Sequence, residues 1–147
     1  MVNRSSISIF VIFILTSGCV GWTNAPRVAT TCSPEDTWSV ALASLQEFEL
    51  RRIDKASGVI ETGWIAVHNP KTVSGGVFQR DMNQERARFI LNITPDQSGS
   101  QISVKQIREF FSPQGVQSRS WRQIPGHEEQ ERQLATRIQN RLKRQAC

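Results

Sequence analysis

Covalent and metal chemistry in this 147-residue chain rests on few side chains: Cys19, Cys32, Cys147, His68 and His127. A thiolate is both a nucleophile and a metal ligand, and an imidazole is a ligand or a general base. The spacing argues against a metal. Zinc sites recur as closely spaced Cys or His pairs, and none occurs here, so no metal ligand is assigned. Neither histidine has a nucleophile beside it in a recognisable motif, so both read as surface residues. Ser74-Gly75-Gly76 lacks the Lys and the following Ser or Thr of a phosphate-cradling loop. The chain is therefore expected to be no enzyme and to hold no cofactor.

Cys19 has the most specific surroundings. Arg4 is followed by the apolar run Ile7 to Leu15 and then by Thr16-Ser17-Gly18. About 20 apolar residues span a bilayer, so the run is too short for a membrane helix. A charged start, a short apolar centre and small residues make a secretory signal peptide. Gly18-Cys19 directly after the run resembles the lipobox of bacterial lipoproteins, with Thr16 standing where Leu is usual. The resemblance implies cleavage after residue 18 and acylation of Cys19, palmitate included. It also implies, because Val20 rather than Asp follows, an outer-membrane protein held by its lipid at the periplasmic face. Several acyl chains on one Cys anchor stably, at about 0.8 kcal/mol per buried methylene.

Residues 19–31 contain Gly21, Asn24 and Pro26 without amphipathic period, and read as a tether. The remaining 116 residues, 32–147, suffice for one small core. Cys32 and Cys147 flank this domain. An oxidising periplasm makes them a disulfide candidate that would tie its two ends, at about 2–4 kcal/mol. Two free thiols and a link between chains are the alternatives the sequence leaves open.

The elements that position these groups follow from periodicity. The formal net charge is +5, from 18 Lys and Arg against 13 Asp and Glu, with 38% hydrophobic residues. That balance excludes a disordered chain and a polytopic membrane protein. Ser33-Pro34-Glu35-Asp36 is a capped helix start, and Trp38, Ala41, Leu42, Leu45 and Phe48 follow at helical spacing. A short strand over 48–52, a turn at Asp54 to Gly58 and a strand Val59 to Val67 form a hairpin. Ile60, Thr62, Trp64 and Ala66 share one of its faces. Strands Glu85 to Thr94 and Gln101 to Phe111 come next. Ile107 breaks the alternation of the second, which predicts a bulge or sheet edge near Gln106. Ser112 to Gly126 reads as a polar loop holding Trp121. A final helix begins near His127 and aligns Leu134, Ile138 and Leu142. Its acidic start and basic end suit the helix dipole, so the basic end is not read as a nucleic-acid site, and no nucleic acid is expected as partner. The expected fold is α+β: a four-stranded antiparallel sheet with both helices on one face.

Trp38, Leu45, Asp54-Lys55-Ala56-Ser57-Gly58-Val59-Ile60-Glu61-Thr62-Gly63-Trp64, Arg86-Ala87-Arg88-Phe89 and Trp121, in this element order, resemble the repeated domain of BamC-type outer-membrane lipoproteins. The resemblance covers about residues 33–145, by element order more than by identity. It implies a non-enzymatic interaction module that helps assemble or stabilise an envelope complex through an envelope protein partner. Arg51, Arg86 and Arg88 are the expected partner surface, with ordinary solvated charge as the other reading. A carrier of a small ligand or lipid, using a cleft between helices and sheet, is the alternative function.

Overall fold

A computed structural model describes residues 25–67, 84–111 and 120–145. The signal segment, Cys19, His68, the loop around Ser74 and Cys147 lie outside these residues.

The first helix, α1 (Pro34–Ser44), starts as its sequence dictates. Ser33 Oγ accepts a hydrogen bond from the Asp36 backbone N–H at 3.1 Å and donates to the Asp36 carboxylate at 2.6 Å. Pro34 fills a position whose N–H would be unsatisfied anyway. The helix ends before Phe48, which packs against the core from outside it.

The strands are β1 (Arg27–Thr30), β2 (Leu50–Asp54), β3 (Val59–Thr62), β4 (Ile65–Ala66), β5 (Gln84–Asp96), β6 (Gly99–Phe111) and β7 (Arg122–Ile124). They form one antiparallel sheet in the order β1-β6-β5-β3-β2, with β4 also on β5 and β7 also on β6. The fold is α+β, but the sheet has seven strands where four were expected. The additional ones have two to four residues each, too short for a period of two to show in sequence. Pairing with the long hairpin makes them strands. Thus β1 takes residues from the segment read as tether, and β7 lies in the segment read as loop.

The β5–β6 hairpin is the spine. Its register runs unbroken from Gln84↔Phe111 to Asp96↔Gly99. The expected irregularity near Gln106 is absent: Phe89↔Gln106 is an ordinary step of the ladder. Gln106 and Arg108 continue the buried alternation of Ser100, Ile102 and Val104, and Ile107 belongs to the opposite face. The β2–β3 turn needs Gly58. Its φ is +68°, and a Cβ there would come 2.1 Å from the Ile93 carbonyl oxygen.

The strand expected from Val59 to Val67 divides after Thr62. The Gly63 N–H turns to the Glu49 carbonyl at 2.7 Å, so Trp64 and Ala66 do not continue the face of Ile60 and Thr62. The core joins Trp38, Val40, Ala41 and Leu45 of the α1 region, Ile60, Leu91, Ile93, Ile102 and Val104 of the sheet, and Leu134, Ile138 and Leu142. The last three lie on α2 (Glu128–Arg144) at i, i+4 and i+8, the apolar stripe of an otherwise polar helix.

Candidate functional site

In β5 and β6 successive side chains point to opposite faces. Ala87, Phe89 and Leu91 enter the core, which leaves Arg86 and Arg88 on the other side. That face is not simply solvated. The Arg86 guanidinium carbon lies 4.2 Å from the ring centroid of Trp64 and 3.9 Å from that of Trp121. Arg88 sits over the same Trp64 at 4.6 Å. Trp121 packs on Phe111 with centroids 5.5 Å apart. A cation against an aromatic face contributes about 0.5–1 kcal/mol when exposed and about 2 when desolvated.

Each guanidinium also has a carboxylate. Arg86 donates from Nε and Nη2 to Glu109 Oε2 at 2.8 and 2.6 Å. Arg88 donates to Glu61, and Arg51 reaches the same Glu61 at 4.0 Å. The buried Nε of Arg88 has no hydrogen-bond partner. The three arginines singled out in the sequence therefore meet: Arg86 and Arg88 through Trp64, Arg51 and Arg88 through Glu61. Arg51 is 60% exposed, whereas Arg86 and Arg88 are mostly covered, so free positive charge here belongs chiefly to Arg51.

Sequence reasoning missed Trp64 as a member of this face, and assigned Trp121 to a loop. Strand alternation pointed Trp64 the wrong way, because nothing local announced the break at Gly63. Trp64 and Trp121 stand 57 positions apart, and only the sheet brings them to one arginine.

A second region lies on the core side, at the far end of the hairpin. Glu85 and Arg108 form an ion pair there, and Arg108 also donates to the Pro125 carbonyl at 3.1 Å. The Gln106 N–H donates to Glu131 at 2.8 Å. Its side-chain amide donates to Gln130 at 2.5 Å and accepts from the His127 backbone N–H at 2.8 Å. His127 occupies the N-cap position of α2, and its side chain makes no capping hydrogen bond. Gly126 is required beside it: a Cβ there would meet the Gln106 carbonyl oxygen at 2.8 Å.

Next to this network opens a cavity of about 380 Å³ between the sheet and α2. Phe48, Ile65, Phe89 and Leu134 supply apolar walls. Gln130, Gln133 and Arg137 of α2 form its polar rim, and Arg137 is paired with Glu47.

Cys32 is 1% exposed and disulfide-bonded, and both other cysteines lie outside the described residues. Among the described residues no group of three or more His, Cys, Asp or Glu is close enough to hold a metal. No helix among them is long and apolar enough to cross a membrane.

The chain matches no family profile of known proteins. No curated protein is significantly similar to it.

Proposed function

We propose that this chain is a lipid-anchored periplasmic interaction module that helps assemble or stabilise a complex of the bacterial envelope. The reading takes residues 1–18 as a signal peptide and Cys19 as the acylated residue. It places the protein on the periplasmic side of the outer membrane. A BamC-like domain follows, with both helices covering one face of the sheet. Their shared contribution to a single core supports that arrangement.

One observation carries the functional part: Arg86 held between Trp64 and Trp121 on the face away from the core. Trp and Arg are among the residue types that dominate binding hot spots. Here the stack and the Glu109 pair fix the guanidinium before any partner arrives, which lowers the ordering cost of association. Arg51, the exposed cation beside it, adds steering rather than affinity.

Cys32 pairs with Cys147 in this reading. Leu142, near the end of α2, shares the core with Cys32 and Val28, so the helix end and the Cys32 region are neighbours. Cys19 then remains free for the lipid.

Crosslinked capture from membranes tests the module. The native chain should recover a defined envelope protein, and Trp121→Ala should lose it while remaining folded. Recovery of the chain alone, or equal capture by the variant, refutes the reading. Cys19→Ser should release the protein from membranes.

A further inference from the structure

The cavity between sheet and α2 opens on the core side, where Ala87, Phe89 and Gln106 point, away from Arg86 and Arg88. Its walls are apolar: Phe48 and Phe89 pack with ring centroids 5.8 Å apart, and Leu134 is 4% exposed. Its only charged lining residue among those described is Arg137, and Glu47 neutralises it. The remaining polar lining groups are the carboxamides of Gln106, Gln130 and Gln133. Gln106 is already committed to Gln130 and the His127 N–H. Gln133 donates to Glu129 at 3.1 Å, which leaves its carbonyl oxygen available at the rim.

A rim of carboxamides around one neutralised cation offers hydrogen bonds without a net charge. A carboxylate head would meet Glu47, and an ammonium head would meet Arg137; each would lose part of its hydration for no unpaired counter-charge. An uncharged head bearing hydroxyl or amide groups suits the rim, and an aliphatic body suits the walls. The size follows from the volume. A water molecule's share of liquid is about 30 Å³, so 380 Å³ corresponds to roughly a dozen non-hydrogen atoms. Pockets of this kind, apolar with a few placed polar groups, are the usual form of small-molecule sites.

We propose that this cavity binds an uncharged single-chain amphiphile, with a medium-length aliphatic body against Phe48, Ile65, Phe89 and Leu134 and a hydroxyl- or amide-bearing head at Gln130 and Gln133. The site is distinct from the partner surface, and its occupation does not depend on how that surface is used.

The test is a titration of the isotope-labelled full-length chain with 1-octanoylglycerol, followed residue by residue by NMR. Octanoate and octylammonium are the charged comparisons. Saturable shifts should appear at Phe48, Ile65, Gln133 and Leu134, with a dissociation constant on the order of 10–100 μM. The charged probes should bind at least about tenfold more weakly, as expected for a charge moved from water to an uncompensated site. Gln133→Ala should weaken the neutral probe about three- to tenfold through the lost rim hydrogen bond. Ala87→Leu, which fills the cavity floor, should abolish the shifts. Melting of each variant checks its folding, and the exposed Gln133 keeps the test independent of the buried Ala87. Absence of saturable shifts up to 1 mM (about 4 kcal/mol) overturns the proposal. So does octanoate binding as tightly as the neutral probe, or undiminished binding in a folded Ala87→Leu variant.

Discussion

The two ends of the β5–β6 hairpin follow the same alternation and hold it by different means. Near the turn, the core-facing residues are Leu91, Ile93, Ile102 and Val104, all at most 5% exposed. At the far end Glu85, Gln106 and Arg108 join Ala87 and Phe89 on that side, also at most 9% exposed. The apolar end is stabilised by removal of hydrocarbon from water, which is non-directional and tolerates small shifts. The polar end depends on individual partners: Glu131, Gln130, the His127 N–H and the Pro125 carbonyl. All of these arrive from the last part of the chain. The same end carries Arg86 and Glu109 on the opposite face, so paired charges line it on both sides. The apolar end thus supplies stability, and the polar end fixes where β7 and the start of α2 must sit. Both regions with functional promise, the arginine stack and the cavity, lie at the polar end.

Unpairing Arg108 is the most severe way to break this contrast. Glu85→Ala leaves a mostly buried guanidinium without its carboxylate and should cost about 3–5 kcal/mol in denaturant unfolding. The double variant Glu85→Leu with Arg108→Met should recover most of that loss, or all of it, because replacing a buried pair by apolar groups is often neutral or stabilising. A double variant as unstable as the single would show that the polar end also supplies net stability. At the other end, Leu91→Ala should cost about 2–5 kcal/mol by lost transfer energy and the cavity left behind. Its effect should add to that of Glu85→Ala, since the sites share no partner.

On the reverse face, Arg86→Ala removes two aromatic contacts and a half-buried ion pair. It should cost about 1–2 kcal/mol and redshift the emission of Trp64 and Trp121. The smallest effect belongs to the β2–β3 turn. Hydrogen bonds from Ser57 and then the Arg52 guanidinium lower the Asp54 carboxyl from 3.8 to about 2. The stabilisation from this shift is fully present above 3.8 and is lost as pH falls through about 2. An NMR titration should place the Asp54 midpoint near 2, and Asp54→Asn should remove that part of the acid dependence.

The contrast also explains what the sequence disclosed. The alternation of β5 was legible along its length, because Ala87, Phe89, Leu91 and Ile93 repeat as a half-buried strand must. The Ser33-Pro34 start of α1 and the stripe of α2 were legible for the same reason: each pattern is local. Gln106 and Arg108 looked like an interruption, since a polar residue on a core face is interpretable only with its partners, and those lie about 20 positions away, before it in Glu85 and after it in Pro125, His127, Gln130 and Glu131. The arginines of the other face were located by charge. Their aromatic partners were not, because a stack between Trp64, Arg86 and Trp121 has no local period.

The long hairpin has a kinetic consequence. Its two strands are joined by Gln97 and Ser98 alone, so each rung forms beside one already made and closes only a short stretch of chain. Hairpins of this kind form in roughly 1–10 μs. β1 and α2 must instead find the assembled sheet across long intervening sequence. The hairpin should therefore order first, beginning at its apolar end, and the polar end should remain open until the C-terminal helix docks. Amide exchange during refolding should protect Leu91 and Val104 before Gln106 and Arg108. The region that carries the arginine stack and the cavity is, in time as in space, the last part of the sheet to be completed.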